Sequence, residues 1–292
     1  MKNKKLNILI TVTVICAVLI AVYLSVSFYK SDDSLVIDDN PIFINCTLDE
    51  TDLSSDAYIA SLNNKYDFET KDLTEEYGVS CACITDTGDV CAVIKKTGDK
   101  LCFFDNNFNV LKEIPIGDTI ACVYKIDNGV IVQGKVNTYF VNNLTYEIKP
   151  LDFVVPFEVT IYTYKAEIAY KIDDSIYLYD GNEWKKIKIN EKFDLNGFID
   201  DDKLLLSRER FFGPVIKLST FSVSKNRITK NNFIRTYSGY VNFLSVNQND
   251  KTALLFSVND SGYWEIYFLN LNEKKYHEVN IDVEFVKSVQ FE

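Results

Sequence analysis

Hydrophobic and polar positions divide the chain into two unlike parts. From Leu6 to Tyr29 there is no charged residue, and most positions are Ile, Val, Leu, Ala or Tyr. Beyond residue 33 the pattern changes to short runs rich in Val, Ile, Phe, Tyr and Thr, separated by stretches such as DTGD, DNG and NQND. Runs of this composition between turn-forming residues predict antiparallel β-strands. The pattern therefore predicts one apolar helix followed by an all-β region.

The β-rich region repeats. One unit reads VSCACI–TDTGD–VCAVIKK–TGDK–LCFFD–NNFN–VLKEIPI from Val79, which predicts four strands and three tight turns, and further units begin near Ile120, Glu158, Asp194 and Tyr240. The third strands align best: LCFFD, TYFVN, IYLYD, STFSV and IYFLN. Four short strands recurring about every 40 residues are typical of β-propeller blades. A two-sheet sandwich and two small β domains are rival folds, and the near-constant period argues against both.

The two ends of the chain complement each other. The final run VEFVKSVQFE matches a first strand, but no partner strand follows it. Near the start, PIFINCTL, AYIASLNN and YDFETKDL match strands two, three and four. Joined in space, these segments would complete a sixth blade and leave no sheet edge exposed at the chain ends. The predicted fold is an all-β, six-bladed β-propeller closed by a C-terminal first strand and preceded by one transmembrane α-helix.

One unit also resembles a known repeat. SVNQNDKTALLFSVNDSGYWEIYFLNLNEKKYHEV is similar to the TolB-type, WD-repeat-like propeller repeat: NQNDK stands where that family has the turn before strand two, and WEIYFLNLN stands where it has strand three. IDDDK and IYLYDGN are fainter matches elsewhere in the chain. The resemblance implies a propeller and nothing about chemistry, because propellers host many functions.

The apolar run predicts a membrane anchor. Its 24 residues would span roughly 36 Å as a helix, enough for a hydrocarbon layer of about 30 Å. Three lysines precede the run, while Lys30 is followed by Asp32 and Asp33, which predicts a cytoplasmic N-terminus. We expect a cytoplasmic segment 1–5, a signal anchor 6–29 and an extracytoplasmic propeller 30–292. A cleavable signal peptide is the alternative, although its apolar core would be long.

Net charge narrows the range of partners. The chain has 31 basic and 42 acidic residues, and four of the basic residues lie within residues 1–31, so the remainder carries a net charge of −15. A field of this sign repels nucleic acid and anionic lipid headgroups. We therefore expect no nucleic-acid partner. Because the acidic remainder would not be attracted to lipid headgroups, we expect the cell-membrane location to depend on the N-terminal helix.

Catalytic motifs are sparse. His277 is the only histidine, which excludes catalytic schemes with a second histidine and metal sites with several. Asp200, Asp201 and Asp202 favour a solvated turn over a calcium site, because no regular ligand spacing appears. SVNDSGYW is similar to the sialidase Asp box, which is itself a structural turn. We predict no catalytic residue, cofactor or metal; the alternative is a surface glycosidase with channel carboxylates such as Glu158 and Asp194.

Six cysteines follow the apolar run: Cys46, Cys81, Cys83, Cys91, Cys102 and Cys122. If the first hairpin of the second blade turns at 86–89, Cys83 and Cys91 lie opposite one another. Their Cβ atoms would then approach to about 4.5–5.5 Å, near disulfide range. A Cys83–Cys91 bridge and a pair of buried thiols that pack as small apolar residues are both compatible with the sequence.

The leading functional hypothesis is a membrane-anchored module that binds a protein or glycan partner. We expect the partner on the loops between strands two and three of three consecutive blades, since long loops on rigid scaffolds carry function and exposed Arg, Tyr, Trp and Phe are typical of hot spots. The candidate residues are Arg208, Arg210, Phe211, Phe212, Asp260, Tyr263, Trp264, Asp49, Glu50 and Asp52. The alternatives are that Phe211, Phe212 and Trp264 pack between blades, or that the chain is an accessory subunit of an envelope complex.

Overall fold

The computed structural model describes residues 12–22, 27–32, 35, 41–47, 56–62, 68–72, 79–94, 99–105, 107, 109–209, 213–236, 241, 243–248, 251–258, 264–279 and 285–291. Residues 12–22 form helix α1, and most of the other described residues lie in strands. Within these ranges, no helix combines the length and the apolar character that a membrane crossing needs.

The described strands follow the predicted units closely. In the first half of the chain they are β1 (Lys30–Ser31), β2 (Pro41–Thr47), β3 (Asp56–Leu62), β4 (Phe68–Asp72), β5 (Val79–Ile84), β6 (Val90–Ile94), β7 (Lys100–Phe104), β8 (Val110–Pro115), β9 (Ile120–Ile126), β10 (Gly129–Gly134), β11 (Thr138–Asn142) and β12 (Ile148–Pro150). In the second half they are β13 (Ile161–Tyr164), β14 (Glu167–Ile172), β15 (Ser175–Tyr179), β16 (Trp184–Lys188), β17 (Asp194–Asp200), β18 (Lys203–Arg208), β19 (Val215–Ser222), β20 (Arg227–Arg235), β21 (Phe243–Asn247), β22 (Thr252–Val258), β23 (Trp264–Asn270), β24 (Lys275–Val279) and β25 (Phe285–Phe291).

These strands pair into six sheets, which we number by their place in the ring. Sheet I has the order β25-β2-β3-β4, and sheets II, III, IV and V are β5–β8, β9–β12, β13–β16 and β17–β20, each an antiparallel meander. Sheet VI is β21–β24, with the short strand β1 added in parallel to its outer edge. All five third strands predicted from the internal alignment are confirmed as the third strands of sheets II to VI.

The first strands of the sheets form a closed circle. β5 contacts β9, β9 contacts β13, and the contacts continue through β17 and β21 to β25, which in turn contacts β5. The closure that the chain ends suggested is confirmed, because β25 pairs antiparallel with β2 from Ile42↔Phe291 to Thr47↔Phe285. The strand at the end of the chain therefore finds its partner in the strand nearest the start of the β-rich region.

Short turns join the strands at positions where the sequence has turn formers. In the DNG turn between β9 and β10, Asn128 has a φ of 63°, a left-handed conformation that Asn tolerates and that tight hairpins require. Gly129 follows, and a Cβ there would lie 2.2 Å from the carbonyl oxygen of Val141. The glycine is needed because the neighbouring strand passes too close for any side chain.

The core lies between neighbouring sheets rather than at the centre of the ring. One cluster of buried side chains joins sheets II and III through residues such as Val93, Phe103 and Val132. Similar clusters join sheets III and IV, sheets IV and V, and sheets V and VI. Sheets III, IV and V thus have buried side chains on both faces, which explains why their middle strands read as nearly continuous apolar runs.

The C-terminal end of the predicted anchor differs from expectation. The sequence assigned residues 6–29 to one helix, but Phe28 forms a parallel bridge with Phe233 of β20, and the Tyr29 amide donates to the Phe233 carbonyl at 2.8 Å. The Tyr29 side chain is buried in the cluster between sheets V and VI. These two aromatic residues extend the apolar run in sequence, yet both pack against the ring.

Candidate functional site

An open cavity lies in the middle of the ring, and we call it the channel. It has a volume of about 720 Å³ and is lined mainly by the first strands of sheets II to VI and by the connection that leads into β13. Residues from this connection, including Phe157 and Glu158, lie at the end where the first strands begin. Asp86, Asp127 and Lys165 lie at the other end, where the first strands finish. The channel is therefore a concave space with polar groups at both mouths.

Hydrogen bonds organise the channel wall between sheets III and IV. The buried Gln133 side chain donates to the carbonyls of Pro156 at 2.6 Å and Val159 at 2.9 Å. The Tyr124 hydroxyl donates to the Gln133 Oε1 at 3.2 Å. Every polar atom of this amide is thus used to hold the connection before β13 against the channel.

The channel phenols are neutral donors at ordinary pH. Loss of solvent around Tyr124 raises its pKa to about 12, with smaller contributions from its neighbours. Loss of solvent also raises the pKa of Tyr162, assisted by the charge of Asp194. Two protonated phenols therefore line the channel, and the hydroxyl of one of them, Tyr124, already donates to Gln133.

Gly197 shapes the same wall. It sits at a bulge of β17 with a φ of 122°, and a Cβ there would come within 3.3 Å of the Tyr162 ring. A conformation of this kind is strained for any other residue. The bulge brings the β17 backbone against the ring of Tyr162 at the channel surface.

The glycosidase alternative required two facing carboxylates in the channel. Glu158 lines the channel, whereas Asp194 is absent from the described lining and instead approaches Lys171 at 3.6 Å. Asp86 also lines it, but accepts hydrogen bonds from the Asn128 amide at 3.0 Å and from the Asn143 side chain. The structure therefore does not bring the two suggested residues together in the channel.

At the channel end that carries the turns between first and second strands, hydrogen bonds and an ion pair connect neighbouring sheets. The Asp127 amide donates to the Lys165 carbonyl at 3.1 Å, and the Lys165 ammonium pairs with Asp201 at 2.6 Å. The Lys251 ammonium donates to the Ile199 carbonyl. With the Asp86 bonds, these contacts link sheets II to VI in sequence, and Asp201 serves as a turn-to-turn contact.

A disulfide joins the first strands of sheets II and III. It links Cys81 to Cys122, whose Cα atoms lie 5.5 Å apart, and both residues line the channel. Cys83 and Cys91 are opposite in register, as predicted, but both are free thiols and fully buried. Burial, with the Cys83 contact, raises the pKa of Cys91 far above its usual value.

The position of this bridge corrects the cysteine interpretation. Cys83 and Cys91 fit the second reading, buried thiols that act as small apolar residues. Cys81 and Cys122 are each the third residue of a first strand, and their separation of 41 residues equals the spacing of the two units. Equivalent positions on neighbouring inner strands approach closely where the ring is narrowest. The repeat period was the sequence signal for this pair.

The predicted partner-binding residues are only partly within the described chain. Arg208 ends β18 opposite Lys217, and Trp264 begins β23 opposite Val258. Beside Arg208, the Glu209 carboxylate accepts a hydrogen bond at 3.0 Å from the amide of Val241, which precedes β21 of sheet VI. The remaining candidates lie outside the described residues: Arg210, Phe211, Phe212, Asp260, Tyr263, Asp49, Glu50 and Asp52.

The strand bounds give the lengths of the connections between second and third strands. The connections between second and third strands span residues 209–214 in sheet V, 259–263 in sheet VI and 48–55 in sheet I. The corresponding connections are short in sheets III and IV, where they span residues 135–137 and 173–174. In sheet II the connection spans residues 95–99 and is as long as the one in sheet VI. The contrast therefore holds for sheets V and I, and composition rather than length distinguishes sheet VI.

Among the described residues, no three His, Cys, Asp or Glu side chains come together as metal ligands would. The Asp200–Asp202 run makes local bonds instead: Asp200 accepts from the Asp202 amide at 3.1 Å, and Asp202 accepts from the Ser224 amide at 2.7 Å. These contacts agree with a turn.

Solved structures share this architecture. TolB from Acinetobacter baumannii matches with a TM-score of 0.58 and 13% sequence identity, over 93% of this chain and 70% of that chain. The fold is a β-propeller. A protein of unknown function from Bacteroides caccae matches at 0.55 and 13%, over 86% and 98% of the two chains. A Lactobacillus plantarum protein matches at 0.52 and 12%, over 87% and 99%.

Sequence comparisons add no family assignment to this propeller. No family model matches the chain, and no curated protein matches it. At the identities seen among the structural neighbours, likeness establishes the fold alone, because one fold hosts unrelated activities.

Proposed function

We propose that this chain is a six-bladed propeller, held outside the cell by its N-terminal helix, that binds a protein partner. The observation that carries the proposal is the order of the ring, in which sheets V, VI and I are consecutive. The strand ends that flank their connections between second and third strands then lie next to one another at one end of the channel. These connections contain most of the candidate Arg, Phe, Tyr, Trp and acidic residues.

The two ends of the channel differ in a way that favours this face. At the opposite end, turn-to-turn bonds hold successive sheets together, so those polar groups are already engaged with each other. A rigid ring with longer loops at its other end is a common arrangement for recognition. Arg, Tyr, Trp and Phe on such loops are the residue types that dominate interface energies.

The membrane location rests on the sequence. The uncharged run before residue 30 and the lysines that precede it support an anchor with a cytoplasmic N-terminus. A subunit role in an envelope complex is a special case of the same proposal. We place the glycosidase alternative second, because Asp194, one of the two carboxylates suggested for it, is absent from the described channel lining and approaches Lys171 instead.

Single alanine replacements at Arg210, Tyr263 and Trp264 test the proposed face in the full-length protein. Partners would be trapped by chemical crosslinking on intact cells and identified by mass spectrometry. We expect each replacement to reduce one specific crosslinked partner about tenfold, as hot-spot residues do, with an unchanged melting temperature. Lys225→Ala, in a turn at the opposite face, is the matched control and should leave the crosslink intact.

Three outcomes separate the readings. Unchanged crosslinking in all three variants would remove this face from consideration. A lowered melting temperature in the Trp264 variant would show that the Trp264 side chain packs between blades. Crosslinks that vanish after glycosidase treatment of the cells would replace the protein partner by a glycan.

A further inference from the structure

The disulfide between sheets II and III borders an open space. Cys81 of β5 and Cys122 of β9 both line the channel, whose volume is about 720 Å³. Cavities of about 300–1,000 Å³ are the size that small ligands occupy. A small solute that enters the channel therefore meets this bridge in the folded protein.

The two bridged residues differ in access. Cys81 is 3% exposed and belongs to the apolar cluster between sheets II and III, whereas Cys122 packs against that cluster and is only partly buried. The free thiols of the same cluster, Cys83 and Cys91, are 1% and 0% exposed. A thiol that enters from the channel therefore reaches the sulfur of Cys122 first.

A backbone donor is directed at the more buried sulfur. The Val123 amide donates to the Cys81 Sγ at 3.3 Å, within the buried part of the wall. An N–H group that points at a sulfur stabilises its thiolate form, and thiol–disulfide exchange is faster when the departing sulfur is stabilised in that form. Attack at Cys122 with departure of Cys81 is thus favoured both by access and by this hydrogen bond.

We infer that the Cys81–Cys122 bridge is a thiol-exchange site, at which a low-molecular-weight thiol attacks Cys122 and displaces Cys81. The sulfur of the small thiolate bonds to the Cys122 Sγ, the bond between the two protein sulfurs breaks, and its electron pair stays on the Cys81 Sγ. The product is a mixed disulfide on Cys122 and a thiolate at Cys81, next to the Val123 amide.

A second small thiol completes the reduction. Its thiolate attacks the small-molecule sulfur of the mixed disulfide, and Cys122 leaves as a thiolate. The two protein sulfurs take up the protons that the two small thiols lost. The bridge is thereby reduced by two electrons, and the two small thiols are oxidised to one disulfide.

Other contacts hold the two sheets together when the bridge is open. Asp86 at the turn of sheet II accepts hydrogen bonds from the Asn128 amide and the Asn143 side chain of sheet III. The apolar cluster joins Val93 of sheet II to Val132 of sheet III. Exchange therefore takes place within a folded ring. The site is independent of the proposed anchor and partner, because residues of sheets II and III build it.

Two single substitutions test the difference in access. Cys81→Ser leaves Cys122 as a thiol and Cys122→Ser leaves Cys81, and each variant is the matched control of the other because both lose the same bridge. In the full-length proteins we expect N-ethylmaleimide to label Cys122 at least about tenfold faster than Cys81, since exposure governs thiol reactivity. Cys83 and Cys91 should take the reagent only after denaturation, which shows that the fold is intact. Equal rates, or faster labelling of Cys81, would overturn the inference.

The direction of attack is read in the unaltered full-length protein with 2-mercaptoethanol as the small thiol. Accessible thiols are capped beforehand, and aliquots are quenched in acid, denatured with N-ethylmaleimide and mapped without reduction. We expect early aliquots to carry the mercaptoethanol adduct on Cys122 and the maleimide on Cys81, in large excess over the opposite arrangement. Protein unfolded in urea, where both sulfurs are accessible, should give the two arrangements in similar amounts.

A thiol joined to dextran by a short linker separates entry through the channel from unfolding. We expect this polymer thiol to react much more slowly than mercaptoethanol with the folded protein, and at a comparable rate with the unfolded protein. Preferential adducts on Cys81, equal rates for the two thiols in the folded state, or no exchange until Cys83 and Cys91 become reactive would each overturn the inference.

Discussion

Individual residues hold the inner wall of the ring together. Cys81 and Cys122 join two first strands covalently, and Gln133 binds a connection to the same wall. The sequence left a bridge and buried thiols open for Cys83 and Cys91, and the buried thiols are what the structure has. It did not suggest the Cys81–Cys122 bridge, since it compared residues across one hairpin. The relevant comparison was between equivalent positions of successive repeats, which only the ring brings together.

Loss of the Cys81–Cys122 bridge should destabilise the protein measurably. The bridge closes a loop of 41 residues, for which the chain-entropy model gives about 4 kcal/mol. We expect the double variant Cys81→Ala, Cys122→Ala to show a lower denaturation midpoint, while Cys102→Ala, which removes one buried thiol, serves as control. Peptide mapping without reduction should find Cys81 linked to Cys122; a peptide linking Cys83 to Cys91 would contradict the structure.

Gly197 should resist substitution. An alanine would adopt a strained φ and press on the Tyr162 ring, so we expect Gly197→Ala to cost about 1–3 kcal/mol of unfolding free energy. Gly213 also has a positive φ, of 60°, but has open space around it. Gly213→Asn should therefore cost little, and equal losses in the two variants would argue against the tight wall at Tyr162.

Alkaline pH should weaken the fold through the channel phenols. The pKa of Tyr124 is about 12 in the folded state and about 10 when unfolded. Because the folded form holds this proton more tightly, the stability from Tyr124 is complete below pH 10 and is lost as pH rises toward 12. We expect unfolding free energy to fall across this window, less steeply in Tyr124→Phe. An equal slope in the variant would contradict the assignment.

Strands were the elements that the sequence predicted best. Turn residues such as DNG and NQND mark where strands end, and the apolar runs between them are short enough to exclude buried helices. The contact of Phe28 and Tyr29 with the ring was missed because these residues continue an apolar run, so periodicity alone assigns them to the helix. The Tyr29 amide donates to the Phe233 carbonyl, about two hundred residues away in sequence, and no local pattern indicates this contact.

The closing strand should be essential for cooperative folding. Deletion of residues 283–292 removes β25, which leaves the edge of β2 unpaired and opens the sides of sheets II and VI that it contacts. We expect the truncated protein to aggregate or to lose its cooperative melt. A synthetic peptide of residues 283–292, added during refolding, should restore the melt, and a scrambled peptide should not. A truncated protein that melts within a degree or two of the intact one would refute the closure.

At the scale of the whole molecule, the ring explains the arrangement of features that lie far apart in sequence. It makes sheets V, VI and I neighbours, puts the strand ends that flank their candidate connections at one end of the channel, and places residues 28–32 against the outer strands of sheets V and VI. The repeat period and the chain ends were enough to predict this circle. Identity of the partner lies beyond what a fold can indicate, since a propeller scaffold accepts many loop chemistries.

The central claim is that the chain forms one closed circle of sheets, and a designed disulfide between its ends tests it most directly. Asn45 and Ser288 are paired in register across β2 and β25, whereas Val289 is paired with Ile44. The account predicts that Asn45→Cys, Ser288→Cys forms an intramolecular bridge in high yield, detected as a crosslinked peptide without reduction, and that Asn45→Cys, Val289→Cys does not. No bridge in the first variant, or equal yields in the two, would contradict a ring closed by the C-terminal strand.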